Sequence, residues 1–358
     1  MEQTIDLNPI PYLTWTWLKI NNDKVSYDFS INQNDGKVTQ LPDGVEITEG
    51  KTVKTELPEP ESAIGKEAAA LISQASNGKI YTITKSTGEK PLIIRIAVDS
   101  NSATHQIIHV KAGTSAKVII VYESPSTSSG TAGTTSTEVL SGIITKIYAE
   151  DDANLHISKV QLYGSNVNQI DDTAVVCGER AKVTLTQIEL GGTHIDAGFH
   201  ATLQGYQSAF YSDTAYICQG TQYLDMNQVV VHKGRNTVCD MKTHGTAKDE
   251  ATKTYRGTID MVKGCAGSNG NEIETTLLLS PKAVVKAAPI ILCGEEDIAA
   301  EHGSTIGKLS DEMLFYINTR GIDQSLAEEL LTRAKVTAAA GTIEDEGIQK
   351  EISDFLER

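Results

Sequence analysis

Two donor residues suited to transition-metal chemistry lie nine positions apart near the end of the chain: Cys293, in Ile290-Ile291-Leu292-Cys293-Gly294, and His302, followed by Gly303. A thiolate is a soft ligand for transition metals, and a neutral imidazole binds such ions or carries a proton. Each residue also has a plainer reading. The flanks of Cys293 look like a buried strand, where a free cysteine is an inert small hydrophobe, and His302 could simply hydrogen-bond the turn at Gly303. Further on come Phe315, Tyr316, Arg320 and Gly321. Aromatic and arginine side chains anchor interfaces, although the same residues could pack a helical tail onto its own domain.

Other histidines are weaker candidates. His105 and His109 fall in a strand-like run, where residues four apart share a face but stand about 13 Å apart by strand rise, so a joint metal site is not expected. His194 and His200 flank Gly191-Gly192 and Gly198 and read as scattered surface histidines in a turn. The Gly-x-x-x-x-Gly-Lys-Ser/Thr loop, HExxH, the Gly-x-Ser-x-Gly elbow and the dinucleotide fingerprint are all missing, so neither P-loop ATP hydrolysis nor these catalytic chemistries are expected.

The five cysteines include no CxxC pair, which argues against a disulfide framework or zinc knuckle and for reduced thiols in the cytoplasm. The start, Met1-Glu2-Gln3-Thr4-Ile5-Asp6, shows no secretory signal, and no apolar run reaches the ~20 residues of a membrane span. With 31 Lys and Arg against 47 Asp and Glu, the formal charge of -16 disfavours nucleic acid and anionic membranes as partners.

At 358 residues the chain exceeds what one core usually serves, so a main domain with appended pieces is expected. Residues 1–78 read as a small α/β region carrying Trp15 and Trp17, with short strands and a helix over 63–75 capped by Ser62. From Lys79 the texture turns to β: 80–83, 92–96, 106–110 and 117–121 are short runs rich in β-branched residues. The stretch 124–136, SPSTSSGTAGTTS, reads as a mobile loop. Then Ala153-Asn-Leu155-His-Ile157 matches Ala181-Lys-Val183-Thr-Leu185 at an offset of 28, with a looser copy from Ala209 and a partial earlier one from Ala116. Alternating strands repeating at this length, with no helix between them, suit a β-solenoid, in which each coil covers its neighbour. A β-sandwich or jelly roll has similar strand spacing, and the low aromatic content (5%) leans toward stacked coils. The solenoid is assigned to 79–305. From Ser310 the pattern turns helical, and 306–358 is read as a C-terminal helical domain that caps the open end of the solenoid or docks a partner.

The run from Ile273 to Leu331 resembles the SufB/SufD family of iron-sulfur cluster assembly proteins. The matching elements are Ser280-Pro281-Lys282-Ala283, Pro289, the acidic Glu295 to Asp297, His302-Gly303 and Phe315-Tyr316-Ile317-Asn318-Thr319-Arg320-Gly321-Ile322. Weaker likeness reaches back through Tyr255-Arg256-Gly257-Thr258-Ile259 and Val231-His232-Lys233-Gly234. The resemblance implies a right-handed parallel β-helix and a non-catalytic scaffold subunit. Its C-terminal helices would bind a SufC-like ABC-type ATPase through Phe315, Tyr316, Arg320 and Gly321, and its last coils would pair with a SufB-like or identical subunit. It also implies a transient iron-sulfur cluster at that interface rather than a stably bound cofactor, with His302 and Cys293 as candidate ligands. The SufB branch carries a cysteine where this chain has Glu274 and a glutamate where it has Gly303, and both departures point to the SufD branch. Two other classes remain open: a β-helix enzyme acting on polysaccharide, and a self-associating structural protein.

Overall fold

A computed structural model describes residues 2–12, 16–124 and 138–358. Trp15 and nearly all of the low-complexity stretch 124–136 lie outside the described residues.

The N-terminal region supplies an antiparallel pair, β1 (Glu2–Leu7) and β2 (Asp23–Asp28), then β3 (Asn32–Gln33), β4 (Lys37–Gln40), β5 (Val45–Glu49) and α1 (Lys66–Gln74). The chain then winds as a parallel β-solenoid of about seven turns. Its coils run through β6 (Lys79–Ile83), β7 (Leu92–Ala97), β8 (Ser102–Val110), β9 (Ser115–Glu123), β10 (Val139–Ala149), β11 (Asn154–Leu162), β12 (Val167–Cys177) and β13 (Lys182–Leu190). They continue through β14 (His194–Leu203), β15 (Ala209–Cys218), β16 (Tyr223–His232), β17 (Val238–Ala247), β18 (Thr252–Met261), β19 (Ser268–Leu278), β20 (Val284–Cys293) and β21 (Ile298–Gly307). Even-numbered strands from β6 to β20 stack into one sheet and odd-numbered strands from β7 to β21 into the other. Antiparallel β5 and β4 close the first edge of each sheet. The tail is α2 (Asp311–Asn318), α3 (Gln324–Ala340) and α4 (Glu346–Leu356).

The 28-residue repeat is the stacking register itself, Asn154 pairing Lys182 and Leu162 pairing Leu190. In-register parallel pairing aligns like positions in successive coils, so alternate residues fill the interior. Leu155, Ile157, Val183, Leu185, Phe199 and Phe210 join one continuous core there. The corner residues Asp152, Arg180, Gln207 and Asn236 all take the left-handed backbone conformation, with φ from 53° to 58°. The left-handed positions themselves therefore carry no glycine, while Gly178, Gly205 and Gly234 stand two residues before Arg180, Gln207 and Asn236.

The outer face of the odd-strand sheet is apolar over the middle of the solenoid, and that of the even-strand sheet is apolar over β8 to β12 and then turns polar, with Asp172, Asp196, Asp225 and Arg256 buried there. The even-strand sheet is covered by β1, β2 and α1, through Ile5, Leu7, Ile64, Ala68 and Ile72 against Ile144 and Ile170. The odd-strand sheet is covered by α3 and α4, through Val336, Ala339, Ile343, Ile348 and Ile352 against Val121, Val160 and Ile188. Helices α3 and α4 thus lie along the flank of the solenoid, and among the described residues the last coil has no cap, unlike the end-capping expectation. The reason is area: a flank of aligned Val, Ile and Leu rows offers far more apolar surface than a single coil end.

α1 begins at Lys66, three residues later than expected, and Ser62 does not cap it; Gly65 occupies the N-cap without a side-chain bond. The preceding backbone is committed elsewhere, since Ala63 N–H donates to Asp172 Oδ1 (2.9 Å) and Asn8 N–H to Ile64 O (3.1 Å). Asp323 and Asp345 do cap α3 and α4.

Truncating Ile352, buried in the α4 contact, should destabilise the protein by about 2–5 kcal/mol. The exposed Leu330→Ala should stay within about 0.5 kcal/mol. Chemical denaturation of both variants checks the contrast.

Candidate functional site: the open end of the solenoid

Stacking stops at β20 and β21. Both are the terminal strands of their sheets, each with one partner, β18 and β19. Their outer backbone edges have no partner strand among the described residues, and the interior-facing residues of this coil have no next coil above them. Pro289 is tolerated in such an edge strand, where a missing N–H need not break a ladder.

Register shows which residues this end presents. His302 pairs with Glu272 and Ser304 with Glu274, while Cys293 pairs with Met261, a core residue. His302 and Cys293 therefore both belong to interior-facing rows of the final coil, and both are exposed because nothing stacks above them. The expectation of a buried, inert Cys293 is corrected: the strand is apolar, but it is the last one. Exposed Val284, Ile273 and Ile306 surround this end.

One layer down lies a buried polar cluster. Lys253 Nζ donates to Glu274 Oε1 (2.5 Å), and Ser304 Oγ donates to Glu274 Oε2 (2.6 Å) from the last coil. The Lys253 ammonium lies 5.4 Å from the Tyr216 ring centre and 5.0 Å from that of Tyr255. Burial pushes Lys253 below the usual lysine range, with Glu274 opposing. Glu272 is fully buried, with the Tyr255 hydroxyl beside its carboxylate. Burial pushes its carboxyl up to about 8, opposed by Tyr255 and reinforced by Glu274. Gly257 makes this possible, since a Cβ there would fall 1.8 Å from Glu272 Oε1.

The remaining motif residues take several roles. Arg256 is buried, pairs with Asp225 and donates to Ile20 O (2.6 Å). Ser280 and Pro281 line a groove of about 740 Å³ beneath α3, with Glu328 and Arg333 opposite. Gly321, at φ 85°, turns the chain after α2, its N–H donating to Asn318 O (3.0 Å). Phe315 is 71% exposed and Tyr316 55%, with the Arg320 guanidinium 4.6 Å from the Tyr316 ring centre. Leu326 and Leu330 are exposed as well. Packing of Phe315 onto the solenoid is thus not observed, and the start of the tail carries an unpartnered apolar surface.

The other histidines are internal fittings. His105 bonds Ser73 Oγ (3.1 Å), His109 bonds Glu150 Oε1 (2.8 Å), and His232 bonds Thr237 Oγ1 (2.7 Å) and Cys239 Sγ (3.2 Å). His194 and His200 lie within β14 rather than in a turn. His200 is buried and His194 is held by Asp23 and Asp196, so neither is a free surface histidine. Asp23 is 171 residues from His194, and no local pattern announces the pair.

The fold is thus a parallel β-solenoid with covered flanks, a last coil that bears His302 and Cys293 and has no further strand beyond it among the described residues, and an exposed apolar surface at the start of the tail. The family model described as SUF system FeS cluster assembly, SufBD core domain, matches residues 94–335. The chain belongs to this SufB/SufD family of iron-sulfur cluster assembly proteins. It is similar to the iron-sulfur cluster assembly protein SufD of Bacillus subtilis strain 168, at 28% identity over 155 residues, 43% of this chain and 36% of that protein. It is also similar to SufD of Escherichia coli K12, at 26% over 133 residues, 33% and 31% of the two chains. Against SufB of B. subtilis identity is 23% over 201 residues, 56% and 43%. The higher identities to SufD proteins agree with the SufD-like branch. The matches span less than half the length of these relatives. No helix among the described residues is long and apolar enough to cross a membrane.

Thiol reactivity should single out Cys293. Burial pushes the Cys177, Cys218 and Cys239 thiols up to about 12 and raises Cys265. One thiol per native chain should react rapidly with a disulfide reagent, and Cys293→Ser should abolish that reaction.

Glu272 should shape stability against pH. Its folded value near 8 exceeds its ordinary 4.5, so the native state keeps a proton that the unfolded chain releases, and stability falls as pH rises between these values. Glu272→Gln should match the native chain near pH 5 and exceed it at pH 9, read from urea unfolding midpoints.

Proposed function

We propose that this chain is a non-catalytic, SufD-like scaffold of a SufBCD-type iron-sulfur assembly complex, with two partner surfaces. The observation that carries the reading is the uncovered last coil. Two adjacent edge strands expose unpaired backbone groups, interior-type apolar residues, His302 and Cys293, and such an edge is completed when another chain pairs with it. A SufB-like subunit, or a second copy of this chain, is the partner proposed there. The exposed Phe315, Tyr316, Leu326 and Leu330, with Arg320, form the surface proposed for a SufC-like ABC-type ATPase. ATP-driven closure of such ATPase subunits would pull on α2 and α3 and bias the coil interface between two states. A cluster formed at this interface would be transient, held by His302 and Cys293 together with ligands from the partner. The cytoplasm, where thiols stay reduced, is the proposed location.

Co-expression with SufC-type and SufB-type proteins from the same source tests both surfaces. The Phe315→Ala, Tyr316→Ala double variant changes only exposed side chains, so it should fold normally. It should lose at least about 2 kcal/mol of ATPase binding, about thirty-fold in Kd, while keeping the end-on partner. His302→Ala with Cys293→Ser should keep both partners and lower the iron retained by the anaerobic complex. Undiminished ATPase retention by the first variant would remove the tail from the reading, and undiminished iron in the second would remove the ligands.

A further inference from the structure

A second set of metal-type donors lies far from the open end, where the N-terminal strands meet the solenoid. Asp23 at the start of β2 faces His194 and Asp196, which are two apart in β14 and so project from the same face of that strand. His194 Nε2 lies 2.8 Å from Asp23 Oδ2 and 3.2 Å from Asp196 Oδ2. The donor atoms of all three residues lie within 4.8 Å of one another, the only such group of three found among the described residues.

Three observations separate this cluster from an ordinary ion pair. The first is geometry. Bonds of 2.0–2.2 Å to a divalent first-row ion, at octahedral or tetrahedral angles, set neighbouring ligand atoms about 2.8–3.6 Å apart, and both His-carboxylate distances fall in that span. The second is a shared donor. Asp196 is fully buried, and its Oδ2 meets only the imidazole Nε2, 3.2 Å away, a nitrogen that already has Asp23 Oδ2 at 2.8 Å. A buried carboxylate oxygen left this way is costly.

The third is charge. The neighbouring Asp225 has its own counter-charge in Arg256, so Asp23 and Asp196 share only His194. Two ionised carboxylates and one imidazolium would carry a net negative charge at a largely buried place, which burial counters by pushing the Asp196 carboxyl up to about 7, whereas two carboxylates, a neutral imidazole and a divalent ion balance. The surrounding groups suit a held site. Tyr223 OH donates to Asp23 Oδ1 (3.3 Å), and Asn8 Nδ2 approaches Asp196 Oδ1 (3.5 Å). The Tyr223 ring lies against the imidazole at 4.4 Å between centres, and Tyr27 approaches it edge-on. Carboxylates oriented by such outer partners are the usual support of metal sites.

We infer that Asp23, His194 and Asp196 form a binding site for a divalent first-row transition ion that clasps the N-terminal β1–β2 pair to the side of the solenoid. One imidazole and two carboxylates suit Mn²⁺, Fe²⁺, Co²⁺ or Zn²⁺. On binding, the ion takes the Nε2 lone pair and the imidazolium proton leaves to solvent. His194 is partly exposed, so water can complete the shell.

The experiment is titration of the full, chelator-stripped chain with Co²⁺ and Zn²⁺ by calorimetry under reducing conditions. It is run on the native chain and on the His302→Ala, Cys293→Ser variant, which removes the donors at the open end. Both should bind one ion at this site. Asp23→Asn and His194→Gln, conservative changes at partly exposed residues, should weaken binding more than about 100-fold, and Tyr223→Phe about 10-fold. The ion should also raise the thermal midpoint of the native chain and leave that of Asp23→Asn unchanged. Failure of the native chain to bind at millimolar ion, or binding that survives both Asp23→Asn and His194→Gln, would overturn the site. A midpoint lowered by Asp23→Asn but indifferent to the ion in both chains would reduce the cluster to a plain ion pair and overturn it equally.

Discussion

Everything in this protein depends on in-register stacking, in which each coil covers the interior row of the coil before it. Stacking buries the Ile, Val and Leu rows of the core, and it also lets polar residues enter that core. Lys159 reaches Asp171 (2.5 Å) and Lys253 reaches Glu274 (2.5 Å), with all four side chains buried. Such pairs contribute little net stability compared with apolar replacements, because desolvation offsets the attraction. Their effect is on register: a slip of one coil position would leave a charge buried alone, which a slip of two apolar rows would not. The same constraint makes the chain end in a surface that is chemically an interior. Among the described residues no element covers the last coil, because α3 and α4 lie on the flank.

Much of this architecture is legible in the sequence. The 28-residue echo between Ala153 and Ala181 is stacking register read directly, and the short β-branched runs fall inside β6 to β9. Less legible is where the helices dock. α3 and α4 show an amphipathic pattern, but period alone says only that one face is covered, and the rows that cover it come from five strands spread over more than a hundred residues. Leu326 and Leu330, at helical spacing, look like part of that face and are instead exposed, because the buried stripe of α3 runs through Ala327, Val336 and Ala339. The corners are legible in part: Gly178, Gly205 and Gly234 mark breaks between strands, but the left-handed positions Asp152, Arg180, Gln207 and Asn236 carry side chains although that conformation favours glycine.

The candidate site was legible in identity and not in environment. Cys293 and His302 stand out by residue type, yet the apolar flanks of Cys293 speak for burial, and only topology tells that β20 has no neighbour beyond it. The Asp23, His194 and Asp196 group was invisible for the converse reason. Each member is unremarkable locally, and only the fold brings a residue of the second strand against the fourteenth. Solenoids produce this blind spot generally, since their lateral decorations contact coils far away in sequence.

The buried layer beneath the open end bears on what this end can hold. At the position where the resemblance puts a SufB-branch cysteine, Glu274 is claimed on one oxygen by Lys253 and on the other by Ser304, so it is a structural anion rather than a free ligand. Glu272, its neighbour across one position, is kept protonated near neutral pH by burial and so lacks the charge that would attract a cation. Among the donors considered at this end, that leaves His302 and Cys293, and an iron-sulfur cluster usually takes four protein ligands. Two donors on the last coil leave the other ligand positions of such a cluster to be filled from elsewhere, so a cluster at this end would not be complete on this chain alone.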